Sequence, residues 1–113
     1  GQDPEKIQQL KIIETEILKC LDRFLTQLKR PAEAGQRLLD QTSVLFGSNL
    51  GNANAHDPKN LPILLAGGGY KHGRFIAHDR DDNKPLCNLF VDVLNKTGVE
   101  TESFATSNEA VIW

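Results

Sequence analysis

The sequence is poor in cysteine, in long hydrophobic runs and in any surplus of basic charge. Its two cysteines, Cys20 and Cys87, lie far apart, each in an apolar helical pattern. They are expected as two buried thiols, not as the start of a disulfide framework. The longest apolar run, Leu61 to Tyr70, contains Pro62 and three glycines and falls short of the roughly 20 residues that span a bilayer. Among 113 residues, 13 Lys and Arg face 15 Asp and Glu, a formal net charge of -2. Divided at residue 40, the chain carries 7 basic and 7 acidic residues before the division, then 6 and 8 after it. No segment is basic enough to grip a phosphate backbone, so no nucleic acid partner is expected. Gly1, Gln2, Asp3 and Pro4 lead straight into a polar helix, without the pattern of a secretion signal. No internal repeat is present. The remaining composition, 39% apolar with 9 glycines, suits one ordinary globular domain with a modest core and excludes disordered and collagen-like chains.

The first thirty residues carry the strongest local signal. Asp3 is placed to cap the free N–H groups of a first turn, Pro4 fits the first helical position and Glu5 favours the positive end of the helix dipole. Ile7, Leu10, Ile17, Leu21, Phe24 and Leu28 follow a spacing of three and four, interrupted by Glu14. Ile13, Leu18 and Leu25 widen the stripe. A helix from Pro4 to Arg30 would be about 40 Å long, more than the rest of the chain easily covers. A homodimer formed through the helix at 4–30 would cover the stripe. Pro31 and Gly35 end the helix, and residues 37–40 suggest one or two further turns.

The character then changes to strand. Residues 42–46 form a short β-prone run before Gly47, and residues 61–66 a second before Gly67, Gly68 and Gly69. Both are expected as buried strands. The polar stretch 48–60 between them is longer than a simple hairpin turn, and such loops often carry function. Arg74 to Ala77 is expected as a third short strand, followed by a polar turn from His78 to Lys84. Pro85 then opens a helix with Leu86, Leu89, Phe90, Val93 and Leu94 along one face and Gly98 as its stop. In the tail, Val111, Ile112 and Trp113 suit an edge strand or anchor.

The polar loop holds the candidate chemistry. Ser48, Asn49, Asn54, His56 and Asp57 offer oxygens and an imidazole that can converge on a metal or an anion, with His56 as the metal ligand. The same residue types also cap turns and tolerate left-handed backbone, which accounts for them without a ligand. His72 and His78 lie in polar stretches and read as solvated. No H-x-x-x-H, C-x-x-C or H-E-x-x-H spacing occurs. The glycines at 67, 68, 69 and 73 follow a strand, yet no helix start and no Gly-Lys-Ser/Thr follows them, so a tight strand exit or a close approach of backbones explains them better than a phosphate. Ser48, His56 and Asp57 lack the G-x-S-x-G elbow of a hydrolytic triad. Asp79, Asp81, Asp82 and Asn83 lack the glycine and distant glutamate of a calcium loop.

The order of Gly47-Ser48-Asn49-Leu50-Gly51, a loop with His56, Leu61 to Gly69, His72-Gly73-Arg74 and Pro85 to Phe90 resembles the C-terminal part of an uncharacterised bacterial family grouped with the alkaline phosphatase and sulfatase-like superfamily. The resemblance covers roughly residues 38–104. It implies a fragment of a longer, exported protein, periplasmic or envelope-bound, whose missing N-terminal portion would be its main partner. In the hydrolases of that superfamily a strand leads into Ser/Thr-Asp-His-Gly, whose Asp and His bind a catalytic divalent metal. The matching positions here are Ser48, Asn49, Leu50 and Gly51. Asn49 keeps an oxygen without the charge, and Leu50 cannot ligate, so the resemblance leaves His56 as the surviving ligand candidate. The fragment alone is expected to be inactive.

Together these features predict an α/β chain, with residues 1–37 as long helix and linker and 38–113 as an α/β segment. Its strands at 42–46 and 62–66 would form a small buried sheet flanked by helices at 4–30 and 86–97, as a fragment of an alkaline phosphatase-like fold. The intact protein would be a metal-dependent phosphate or sulfate ester hydrolase using a divalent metal. The alternative is a non-catalytic binding or assembly module on the same scaffold.

Overall fold

Asp3 and Pro4 open the first helix as their positions predict. In the computed structural model, which describes residues 3–31 and 35–111, the Asp3 carboxylate accepts hydrogen bonds from the Glu5 N–H at 3.0 Å and the Lys6 N–H at 3.4 Å. Pro4 sits where a backbone N–H would have no partner. The helix, α1, spans Pro4–Leu28, two residues short of the expected end. Pro31, which disfavours helical geometry in the residue before it, instead forms an isolated bridge with Arg37, and a 3₁₀ turn follows at Leu38–Gln41. No residue of α1 is buried. Along its stripe Leu21, Leu25 and Leu28 are half-buried, while the N-terminal part is exposed. Within the 3₁₀ turn, the Arg37 guanidinium grips the Asp40 carboxylate with two bonds of 3.0 and 2.8 Å. That hydrogen bonding holds the Asp40 carboxyl below its ordinary range.

The chain divides after Thr42 into two units. The second begins with β1, Ser43–Gly47, paired antiparallel with β2, Ile63–Gly67. Each strand lies one residue from its expected bounds. Val44 faces Ala66, Leu45 faces Leu65 and Phe46 faces Leu64. Directly opposite residues share a face of a sheet, so Val44, Phe46, Leu64 and Ala66 line one side and Leu45, Ile63 and Leu65 the other. The sheet is half-buried, not buried as expected. It has two strands, too few to bury either face, and Leu45 on one side and Leu64 on the other are each 42% exposed. The expected strand at Arg74 to Ala77 does not form: these residues have no regular structure and Phe75 is 92% exposed. Val111 is also outside any strand, and residues 112 and 113 lie outside the described residues.

The second helix, α2, spans Cys87–Lys96, one residue shorter at each end than expected. Gly98 ends it at φ 86°. The Val99 N–H reaches the Leu94 carbonyl at 3.0 Å and the Gly98 N–H the Asn95 carbonyl at 3.1 Å, the double bond of a Schellman cap. The tail beyond has little hydrophobic periodicity, and side chains of α2 fasten it. Asn88, 4% exposed, donates to the Asn108 side-chain carbonyl at 3.1 Å and accepts from the Asn108 backbone N–H at 2.9 Å. Asn95 accepts from the Thr101 N–H at 3.0 Å and donates to the Thr101 carbonyl at 2.9 Å. Between these ties the Phe90 and Phe104 rings meet edge to face, with centroids 6.1 Å apart. Neither cysteine is buried as expected: Cys20 is exposed and Cys87 half-exposed, and both are free thiols. The Thr106 hydroxyl donates to the Cys87 sulfur at 3.4 Å, which lowers that thiol's pKa.

Tyr70 ties sheet, turn and helix together. Its hydroxyl lies 3.0 Å from the Ser43 hydroxyl. The Lys96 ammonium stands 5.4 Å from its ring centroid and donates to the Gly69 carbonyl at 3.2 Å. Gly68, at φ 61°, has no room for a side chain: a Cβ there would stand 2.5 Å from the Ser43 oxygen and 2.6 Å from the Tyr70 ring. Contact with the Ser43 and Tyr70 side chains therefore explains this glycine, in place of the approach of backbones expected, while Gly73 at φ 79° has open space around it.

Replacing Asn88 by Ala would leave the Asn108 groups without their partners. The expected result is a loss of about 1–3 kcal/mol, read as a lower melting temperature together with faster amide exchange at Asn108. A second expectation concerns Asp40. Because its pKa is lowered in the folded chain, its contribution to stability is present above the ordinary aspartate range near 4 and is lost as pH falls through the lowered value. Carboxyl NMR titration should place Asp40 below ordinary aspartate, and Arg37→Ala should return it there.

Candidate functional site

The loop from Ser48 to Pro62 joins β1 to β2, and its own polar groups build it. At the base, the Ser48 N–H donates to the Pro62 carbonyl at 3.3 Å. The Ser48 hydroxyl accepts from the Leu50 N–H at 3.1 Å and bonds the Leu50 carbonyl at 2.9 Å. Farther out, Asn52 and Asp57 pair as an isolated antiparallel bridge. The Gly51 and Asn52 N–H groups donate to the Asp57 carbonyl at 2.9 and 3.4 Å, and the Asp57 N–H returns a bond of 3.0 Å to Asn52. Inside that bridge the Asn52 side-chain oxygen accepts from the Asn54 and Ala55 N–H groups at 3.1 and 3.2 Å, an Asx turn. The Asp57 carboxylate accepts from the Lys59 N–H at 3.0 Å. Gly51 is required where it stands, since a Cβ would run into the Lys59 carbonyl.

The five expected site residues therefore share one loop in different roles. Ser48 and Asp57 are bound to the loop's backbone, and Asn54 lies within the Asx turn. Asn49 and His56 are exposed. His56 adopts the left-handed conformation at φ 49°, as Asn60 does at φ 53°; such backbone is sparsely populated by residues with a Cβ. Among the described residues no three His, Cys, Asp or Glu side chains come together to hold a metal ion. The donors of this loop do not by themselves fit a divalent cation. His56, exposed, and Asp57, half-buried with one carboxylate oxygen on the Lys59 N–H, are the ligand candidates it presents.

Outside the loop, the His72 imidazole bonds the Gly67 carbonyl at 2.6 Å and so has a structural partner although exposed. The Asp79 carboxylate accepts from the Asp81 and Asp82 N–H groups at 2.8 and 2.9 Å, and these bonds lower its pKa. The acidic run is a turn. A shallow depression of about 250 Å³ beside Tyr70 is lined also by Asp92, Asn95 and Lys96. Sequence spacing does not point to it, because it joins the glycine turn to a helix well downstream. Asn52, which organises the loop, was recognisable as an Asx-turn former but stood out no more than its neighbouring asparagines.

No family model, curated protein or solved structure matches the chain.

Because His56 carries a Cβ in left-handed backbone, His56→Gly is expected to stabilise the chain by a few tenths to about 1 kcal/mol, and His56→Val to destabilise it. Urea midpoints of the two variants check this ordering. A Gly variant less stable than the parent would mean that the imidazole makes a stabilising contact.

Proposed function

We propose that residues 38–104 form the C-terminal segment of an exported, periplasmic or envelope protein on an alkaline phosphatase/sulfatase-like scaffold. In this reading the segment supplies one wall of a site that hydrolyses phosphate or sulfate esters once the rest of the protein completes it. Ser48, Asn49, Asn54, His56 and Asp57 line that wall, with His56 as its one metal ligand. What supports the scaffold assignment is the strand pair. β1 and β2 carry apolar side chains on both faces, and Leu45 and Leu64 remain exposed on opposite sides. Strands apolar on both faces suit a larger sheet covered on both sides, and this pair would enter it as an antiparallel hairpin.

A non-catalytic binding or assembly module on the same scaffold is the alternative, and two observations favour it. Leu50 stands where the hydrolases have a ligating residue. Ser48 and Asp57 are held by the loop's own backbone.

Calorimetric titration of the full-length protein with zinc, manganese and calcium, with and without His56→Ala, separates the two. Binding that weakens about 10-fold or more in the variant, together with turnover of an aryl phosphate or sulfate by the parent, supports the hydrolase. Binding in neither protein assigns the module. The 113-residue chain alone is expected to show no turnover.

A further inference from the structure

The stripe of α1 is independent of that proposal, because α1 lies outside residues 38–104. Along it Ile7, Leu10, Ile13, Ile17, Leu18 and Phe24 are between 38% and 57% exposed. From Ile7 to Phe24, the exposed part, the stripe is about 25 Å long, and a third of a helix circumference is about 15 Å wide at the accessible surface. Two such stripes face to face remove on the order of 750 Å², an area that suits a weak and reversible pair, not a permanent dimer. A second copy of this chain brings a stripe of the same length and chemistry, and a two-fold axis lets each serve the other.

Glu14 decides the direction. It interrupts the stripe, and a parallel in-register pair would stack it on its own copy across an apolar seam, where like charges repel. An antiparallel pair crossing near residue 19 separates the two Glu14 side chains by about 15 Å along the axis. The same crossing sets Leu21 against Ile17 of the second copy. It also brings exposed Cys20, at the stripe's edge, beside the Cys20 of the other copy. In a parallel pair, equivalent edge positions lie on opposite sides of the seam.

We propose that α1 forms a weak, reversible antiparallel two-helix seam with α1 of a second copy, centred between Ile17 and Leu21. Sedimentation velocity of the reduced chain tests it, with a dimer fraction expected to rise between about 5 and about 500 µM. Ile17→Glu should leave a monomer throughout. Ile12→Glu, on the opposite face of α1 and 56% exposed in the parent, should dimerise like the parent. Circular dichroism checks that both variants stay helical. In a Cys87→Ser background, a bis-maleimide with a spacer of about 10 Å, matched to the interaxial distance, should join the two Cys20 thiols, each sulfur and its proton adding across one maleimide double bond. A monomer at every concentration overturns the proposal, as does a dimer that Ile12→Glu abolishes and Ile17→Glu does not. A dimer that the bis-maleimide fails to cross-link overturns the antiparallel direction.

Discussion

Tyr70 is the constraint on which the second unit depends. Among the described residues it is the one buried apolar side chain, and three elements meet on it. Its hydroxyl reaches Ser43 at the start of β1, its ring carries the Lys96 ammonium from the end of α2, and the glycine turn after β2 folds against its edge. A chain with so little buried apolar surface depends on directional contacts to select one arrangement. The fixed positions follow from that. Gly68 has no space for a Cβ because Tyr70 and Ser43 occupy it. The Lys96 stem crosses to the Gly69 carbonyl, which holds the helix end over the turn.

The same shortage of core explains which parts were readable in the sequence. α1 and α2 were, because Asp3, Pro4 and Gly98 act within a few residues of where they stand. Both strands were placed within a residue, since each is a continuous apolar run. Their exposure was not foreseen: an apolar run predicts the wish for burial, and two strands cannot satisfy it on either face. Arg74 to Ala77 has strand-like composition, but a strand needs a neighbour and none of the described residues pairs with it. The tail was opaque for the opposite reason. Asn88 and Asn108 are 20 residues apart, and their mutual bonds leave no periodic trace.

Within the candidate loop, composition announced turns and a polar surface, and the bonds of Ser48, Asn52 and Asp57 show how such turns are made. The extended loop holds its shape by satisfying its own backbone, which leaves His56 and Asn49 facing outward from a fixed frame. That frame is compatible with either side of the proposed function. A site needs ligands held in place before the rest of the protein supplies more, and a binding module needs a loop that does not collapse. What distinguishes them is chemistry brought from elsewhere, because the loop itself offers a metal at most the His56 imidazole and the Asp57 carboxylate, short of the three ligands a site needs.

The dependence of the second unit on Tyr70 is open to direct measurement by native-state hydrogen exchange on the parent chain and on Tyr70→Ala. If Tyr70 joins sheet, turn and helix, the variant loses amide protection in β1, β2 and α2 together, while α1 is unchanged. Loss confined to the glycine turn and its immediate neighbours, with β1 and α2 still protected as in the parent, would contradict the account.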